Sequence, residues 1–196
     1  MKTKHAAPDF SSDPVMSNLF SSFKISKIKL SDNLFHDISE SIIGQQLSNK
    51  VASIIVDRFI NLVGTDYSPH EVIARHDDEF RAIGLSYRKA SYIKSLSNEV
   101  ASGRLMLDSL SQLDDEAVIS ELVKVKGIGR WTAEMILIFS LGRPDIFSTG
   151  DLGLRTAVSK LYDVDREDLK KIEKISQNWR PFRSTASRLL WKSLDN

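Results

Sequence analysis

The sequence starts and stops short helices along almost its whole length, and almost nothing in it alternates as a strand would. "SPHEVIARH" is the plainest local instruction, with Ser68 as N-cap, Pro69 at the first helical position and Glu71 closing a capping box. "DNLFHDISESIIGQQ" and "NKVASIIVDRFINLVG" read as helices, the second with Val51, Ile54, Ile55, Phe59 and Leu62 on one apolar stripe. Asp77 starts a short helix that Gly84 stops, "SYRKASYIKSLSNEVASG" ends at Gly103, and Asp114 caps a helix running into Lys124. "RWTAEMILIFSLG", "DLGLRTAVSKLY", "REDLKKIEKISQNW" and "PFRSTASRLLWKSL" follow, after a polar N-terminal arm at the other end of the chain. The expected fold is all-α, with about ten short helices.

Composition narrows the function. A chain of 196 residues suits one substantial core, so a single domain spanning 1–196 is expected. Hydrophobic residues at 41% and charged ones at 27% describe an ordinary globule. No apolar run approaches the roughly 20 residues a bilayer requires, and "MKTKHAAPDFSSDPVM" lacks the apolar core of a signal peptide. Without cysteine the chain has no disulfide, thiolate nucleophile, cysteine-ligated zinc or iron–sulfur cluster, which fits a reducing cytosol. The histidines His5, His36, His70 and His76 show no metal-ligand spacing, so no catalytic metal is expected. The net charge is only +1, but from Glu121 onward there are 14 Lys/Arg against 10 Asp/Glu. A solvated face and a phosphate-facing surface would both look like that.

"VKGIGRWTAEM" places Gly127 and Gly129 one residue apart between two helical stretches. Leu122 and Val125 on the first arm then face Ala133 and Ile136 on the second, in a hairpin at about 115–141. So tight a turn needs positive φ or close backbone approach, both cheap for glycine. Ile128 is expected to bury between the arms while the amides of residues 127 to 130 stay open at a helix N-terminus, a natural phosphate site. Lys124, Lys126 and Arg130 would add attraction. A plain αα-hairpin with a glycine cap would carry the same glycines.

"VKVKGIGRWTAEMI" resembles the helix-hairpin-helix of the DNA glycosylase superfamily, the HhH-GPD proteins, and "LGRPDIFSTGD" is similar to that family's Gly/Pro-rich loop, ending at Asp151. "SIIGQQLSNKVASIIVDRF", "GLSYRKASYIKSLS" and "WRPFRSTASRLLW" resemble further segments of its alkylation-repair branch, the 3-methyladenine DNA glycosylase II family. The likeness runs from about Leu34 to Trp191. Lys126 stands where the family usually has proline, and the length matches the compact form without an N-terminal sheet domain. The resemblance implies helices arranged around the hairpin motif as two subdomains flanking a DNA-binding, active-site cleft.

Asp151 by itself reads as the N-cap of "LGLRTAV". The resemblance implies more: a carboxylate that stabilises the oxocarbenium-like sugar and orients or deprotonates water. The attraction is about 4 kcal/mol at about 4 Å and an effective dielectric of about 20. Bifunctional relatives carry a Schiff-base lysine at the position of Trp131, so a monofunctional enzyme without lyase activity is implied. Trp131, with Met135 one turn along, Leu152 and Trp191 would line the pocket of a cationic alkylated base, drawn to indole faces. As bare sequence features the tryptophans read more readily as core than as pocket. Gln46, with Leu47 beside it, is the implied wedge that fills the gap left by a flipped nucleotide; as bare residues, Gln45 and Gln46 could simply satisfy helix ends. Arg180, Arg183 and Lys192 could touch phosphate or face solvent.

The reading implied is therefore a cofactor-free, monomeric base-excision enzyme that releases alkylated purines of the 3-methyladenine and 7-methylguanine type from double-stranded DNA. It would work inside the cell, in the cytoplasm at the nucleoid or in a nucleus, away from any membrane. The alternative is a non-catalytic helix-hairpin-helix DNA-binding module. An endonuclease III-like lyase is opposed by Trp131 and the absent cluster cysteines, and a zinc-containing glycosylase by the absent ligands.

Overall fold

The computed structural model describes residues 7–195, and no strand occurs among them. His5 and the first residues of the stretch examined for a signal peptide lie outside that range. In chain order the helices are α1 (Pro14–Ser22), α2 (Leu34–Gly44), α3 (Asn49–Val63), α4 (Pro69–Ile73), α5 (Asp77–Ala82), α6 (Tyr87–Ala101), α7 (Asp115–Leu122), α8 (Arg130–Phe139), α9 (Leu152–Tyr162), α10 (Leu169–Ser176) and α11 (Arg183–Lys192). Two 3-10 segments, Leu107–Gln112 and Gln177–Trp179, complete the all-α fold. The chain forms two compact units: residues 30–141 make one, and the segments on either side of them together make the other.

In the unit of residues 30–141, α6 packs against α2, α4 and α5, and α7 against α8. The rings of Phe35, Phe59, Tyr67 and Phe80 meet at its centre. The Ser68 capping box forms as expected, with Ser68 accepting from the His70 amide and Glu71 from the Ser68 amide. Asp114 caps α7 through the Ala117 amide, although the helix stops at Leu122, short of Lys124. On α3 the buried stripe is Ile55, Phe59 and Val63; Val51 and Ile54 are exposed and Leu62 half-buried, which corrects the expected stripe. Apolar residues cover more of the α3 circumference than its neighbours do, so the helical period alone admitted two adjacent stripes.

The second unit contains a helix where the sequence presents a polar arm. Asp13 caps α1 at the Met16 amide, and its other carboxylate oxygen accepts from the Tyr162 hydroxyl and the Trp179 indole N–H, both at 2.8 Å. Burial, with the Asp13 hydrogen bond, pushes the Tyr162 phenol up. Met16 and Leu19 enter a core with Phe147, Leu154, Val158, Ile172, Trp179 and Leu190. Trp179 is fully buried there, and truncating such a ring to Ala costs about 3–5 kcal/mol.

Candidate functional site

The hairpin between α7 and α8 buries Leu122, Val125, Ile128, Ala133 and Ile136, as the pattern predicts. Gly127 has φ +93°, and a Cβ there would collide with the Tyr92 ring, so the fold itself demands this glycine. Gly129 differs: it is the N-cap of α8 at φ −93°, and nothing lies within 4 Å of where its Cβ would be. The expectation that both glycines serve the turn is therefore corrected. So is the open row of amides, because the Ile128 N–H donates to the Val125 carbonyl at 3.1 Å, closing the turn. Gly129 carries no side chain to cap α8, so its first turn has no side-chain cap.

The charges around the hairpin are mostly paired. Arg130 bridges the two arms, to Glu116 on α7 at 2.5 and 3.0 Å and to buried Glu134 on its own helix at 3.0 Å. The Arg130 hydrogen bonds hold the Glu116 carboxyl below the usual carboxylate range. Lys124 pairs with Glu121 at 2.6 Å, and Lys126 is exposed.

The break between α2 and α3 packs beside this turn. Gln45 donates its side-chain amide to the Gly127 carbonyl at 3.0 Å and to the Thr132 hydroxyl at 3.4 Å. Gln46 then takes the left-handed conformation at φ 61°, unusual for a residue other than glycine. Gln46 and Leu47 are both exposed, and Gln46 accepts from Arg88 at 3.4 Å. A cavity of about 370 Å³ is lined by Gln45, Gln46, Arg88, Lys89, Tyr92 and residues 127–129. Lys89 donates to the Ile43 carbonyl at 2.7 Å, and burial, helped by neighbouring Arg88, pushes its ammonium down. Sequence reasoning missed Arg88, Lys89 and Tyr92, although the basic pair in the first turn after the Ser86 N-cap was there to be read.

On α8 of the same unit, Trp131 is 44% exposed, Met135 half-buried and Phe139 exposed, at successive turns. Met135 and Phe139 line a cavity of about 310 Å³ with Asp37, Glu40, Ser41 and Ile136. Burial, with the Asp37 charge, pushes the Glu40 carboxyl up.

In the other unit, Asp151 caps α9. Its Oδ1 accepts from the Leu154 amide at 2.7 Å and from the Trp191 indole N–H at 2.9 Å, and the residue is only 9% exposed. Leu152 beside it is 55% exposed, and Trp191, on α11, is half-buried. The loop leading to Asp151 is held by α11: Ser184 accepts from the Ile146 amide and donates to the Arg143 carbonyl, and Ser187 donates to the Ile146 carbonyl. Neither serine was singled out from sequence. Arg183 grips Asp145 through its carboxylate and carbonyl with its side chain only 12% exposed, so it anchors the loop rather than facing solvent. Arg180 lies 3.7 Å from Asp145, and Lys192 donates to the Lys24 carbonyl at 3.3 Å.

Residues 39–181, which hold both the hairpin and the loop to Asp151, match the family model described as HhH-GPD superfamily base excision DNA repair protein. The chain belongs to the HhH-GPD superfamily. It is similar to DNA-3-methyladenine glycosylase 1 of Schizosaccharomyces pombe, 34% identical over 163 residues that cover 81% of this chain and 72% of that one. The crystal structure of DNA-3-methyladenine glycosidase from Bacillus halodurans superposes with a TM-score of 0.82 at 35% identity, covering 93% of this chain and 85% of that one. The Schizosaccharomyces pombe 3-methyladenine DNA glycosylase in complex with abasic DNA gives 0.79 at 28% identity, covering 92% and 90%.

For an HhH-GPD protein, the distribution of site residues is plain. The hairpin, Gln45 to Leu47, Trp131 and Met135 lie in the unit of residues 30–141, and Asp151, Leu152 and Trp191 in the other. Among the described residues no three His, Asp or Glu side chains cluster as a metal site, and no helix is long and apolar enough to cross a membrane.

Proposed function

We propose that this HhH-GPD protein is a monofunctional DNA glycosylase of base excision repair, which flips alkylated purines of the 3-methyladenine and 7-methylguanine type out of double-stranded DNA and hydrolyses their bond to deoxyribose. The whole chain acts as one monomeric enzyme, in whichever compartment holds the DNA. The relatives named for 3-methyladenine, one of them solved in complex with abasic DNA, support the substrate class.

The hairpin binds a backbone phosphate through the amides of Gly129 and Arg130 at the start of α8, with Gly127 and Ile128 shaping the turn and Lys124 and Lys126 adding screened attraction. Gln46, with Leu47, occupies the gap in the duplex, presented by a backbone already in the left-handed conformation. Trp131 and Met135 on α8, and Leu152 and Trp191 beside Asp151, are the side chains assigned to contact the base. Alkylation at a ring nitrogen makes the purine cationic; it departs neutral with the electrons of the glycosidic bond, leaving positive charge on the sugar. Asp151 stabilises that charge, and water adds to C1′ while giving up a proton to the Asp151 carboxylate. Trp131 offers no amine for an imine, so the abasic product is not cleaved by this enzyme.

Asp151 carries the reading: it is a nearly buried carboxylate with one oxygen fixed by two donors, at the end of the family's loop. A non-catalytic DNA-binding module would not need it. The test is release of free base from a methylated duplex by the purified protein, with borohydride present in a parallel reaction. Base release without a trapped covalent adduct is expected. Binding without release would establish the module, and a trapped adduct a lyase.

A further inference from the structure

Helix α9 has a glycine at its second position, where Ala would be the better helix former. Gly153 lies within the helix, so backbone freedom does not explain it. Its surroundings do. A Cβ at Gly153 would stand 3.1 Å from Oδ1 of Asp151, 3.1 Å from Cδ1 of Trp191 and 3.3 Å from Nε1 of Trp191. Those contacts fall short of the ordinary carbon separation of about 3.5–4.0 Å. They also surround one hydrogen bond, the donation of the Trp191 indole N–H to Asp151 at 2.9 Å.

We infer that Gly153 and Trp191 are positioning residues for the Asp151 carboxylate: the missing side chain at 153 is the gap through which the indole N–H reaches Oδ1. The Leu154 amide, at 2.7 Å on the same oxygen, holds that atom to the helix end. The Leu154 amide constrains Oδ1 from the side of α9 alone. The second donor comes from α11, forty residues further along the chain, and constrains it from another side. Stabilising a developing cation depends on where the charge sits, and a misplacement of about 1 Å can cost about 100-fold. Trp191 therefore acts through its N–H edge on every substrate alike, whatever its ring face contributes to a cationic base. The inference rests on the glycosylase reading above.

The experiment uses the full chain with Gly153→Ala, Trp191→Phe and the double variant, and a duplex carrying a single 7-methylguanine or a single hypoxanthine. Single-turnover base release should fall about 10-fold or more for each single variant, and by the same factor on both lesions in Gly153→Ala, which leaves the indole ring in place. Lesion-DNA affinity should stay within about threefold, and the melting temperature of Gly153→Ala should stay within a few degrees of the parent's, since the helix preference of Ala offsets part of the cost of the lost bond. The double variant should be no slower than the worse single one, because both changes remove the same bond. The ¹H–¹⁵N resonance of the Trp191 indole, assigned by its loss in Trp191→Phe, should move in Gly153→Ala in the direction it moves in Asp151→Asn. A folded Gly153→Ala protein with an unmoved resonance or a parental rate would overturn the inference, as would additive losses in the double variant. Should Gly153→Ala not fold, a parental rate in Trp191→Phe would overturn it equally. A parent that releases no base at all defeats the glycosylase reading instead, so the two failures are distinct.

Discussion

The hairpin of α7 and α8 and the Asp151 site make opposite use of their residues. At the hairpin the working groups proposed are backbone amides, and side chains do the holding: Arg130 is spent on Glu116 and Glu134, and Gln45 on Gly127 and Thr132. At Asp151 the working group proposed is a side chain, and what holds it and its loop comes largely from α11, dozens of residues along the chain. Phosphate recognition needs only a locally coded turn shape, whereas a charge aimed at one atom needs supports from several directions.

The largest effect that could break this contrast is at Asp151. Replacing it with Asn keeps the size and much of the cap while removing the charge. Single-turnover base release should drop at least about 100-fold, or about 2.7 kcal/mol of transition-state stabilisation, with lesion-DNA affinity within a few-fold. A folded variant working at the parental rate would show that the carboxylate is only a cap.

Next in size are the two glycines, which the structure separates. Gly127→Val should unfold or loosen the hairpin, since both its φ and the Tyr92 ring forbid a side chain. Gly129→Val has room and an ordinary φ, so its melting temperature should stay within a few degrees, yet affinity for damaged and undamaged duplex alike should fall about 10-fold or more. Filter binding beside thermal melts checks this. Undiminished binding by folded Gly129→Val would mean the amides at the start of α8 do not meet phosphate.

The smallest effect is at the exposed indole. Trp131→Ala should slow excision of cationic 7-methylguanine more than of neutral hypoxanthine, the difference being the cation–π contribution of about 0.5–2 kcal/mol. Equal losses on the two lesions would reduce Trp131 to a wall without charge preference.

Within three or four residues the chain was readable. Ser68 with Pro69 and Glu71, Asp114 and Gly127 each act on amides or dihedrals of their own turn, and each does what its residue type predicts. The same reach found Asp151 as a cap, and the family pattern marked it as more. Errors began where the answer depended on a distant neighbour. Helix α1 was hidden because its cap, Asp13, is secured by Tyr162 and Trp179, and Met16 and Leu19 are apolar residues in a polar stretch until that core exists. Arg183 looked like any surface cation until Asp145 folded back on it.

By itself, then, the sequence determined an all-helical chain, the places where most helices begin, and a two-glycine turn followed by Arg130 and Trp131, because caps, helical period and positive φ are local energies. Only tertiary structure decided which glycine the turn requires, since that depends on the Tyr92 ring, and why Gly153 stands where Ala would make the better helix, since that depends on the Trp191 indole. Excluded volume and hydrogen bonds between residues dozens of positions apart leave no periodic trace along the chain, so they appear only once the helices have packed.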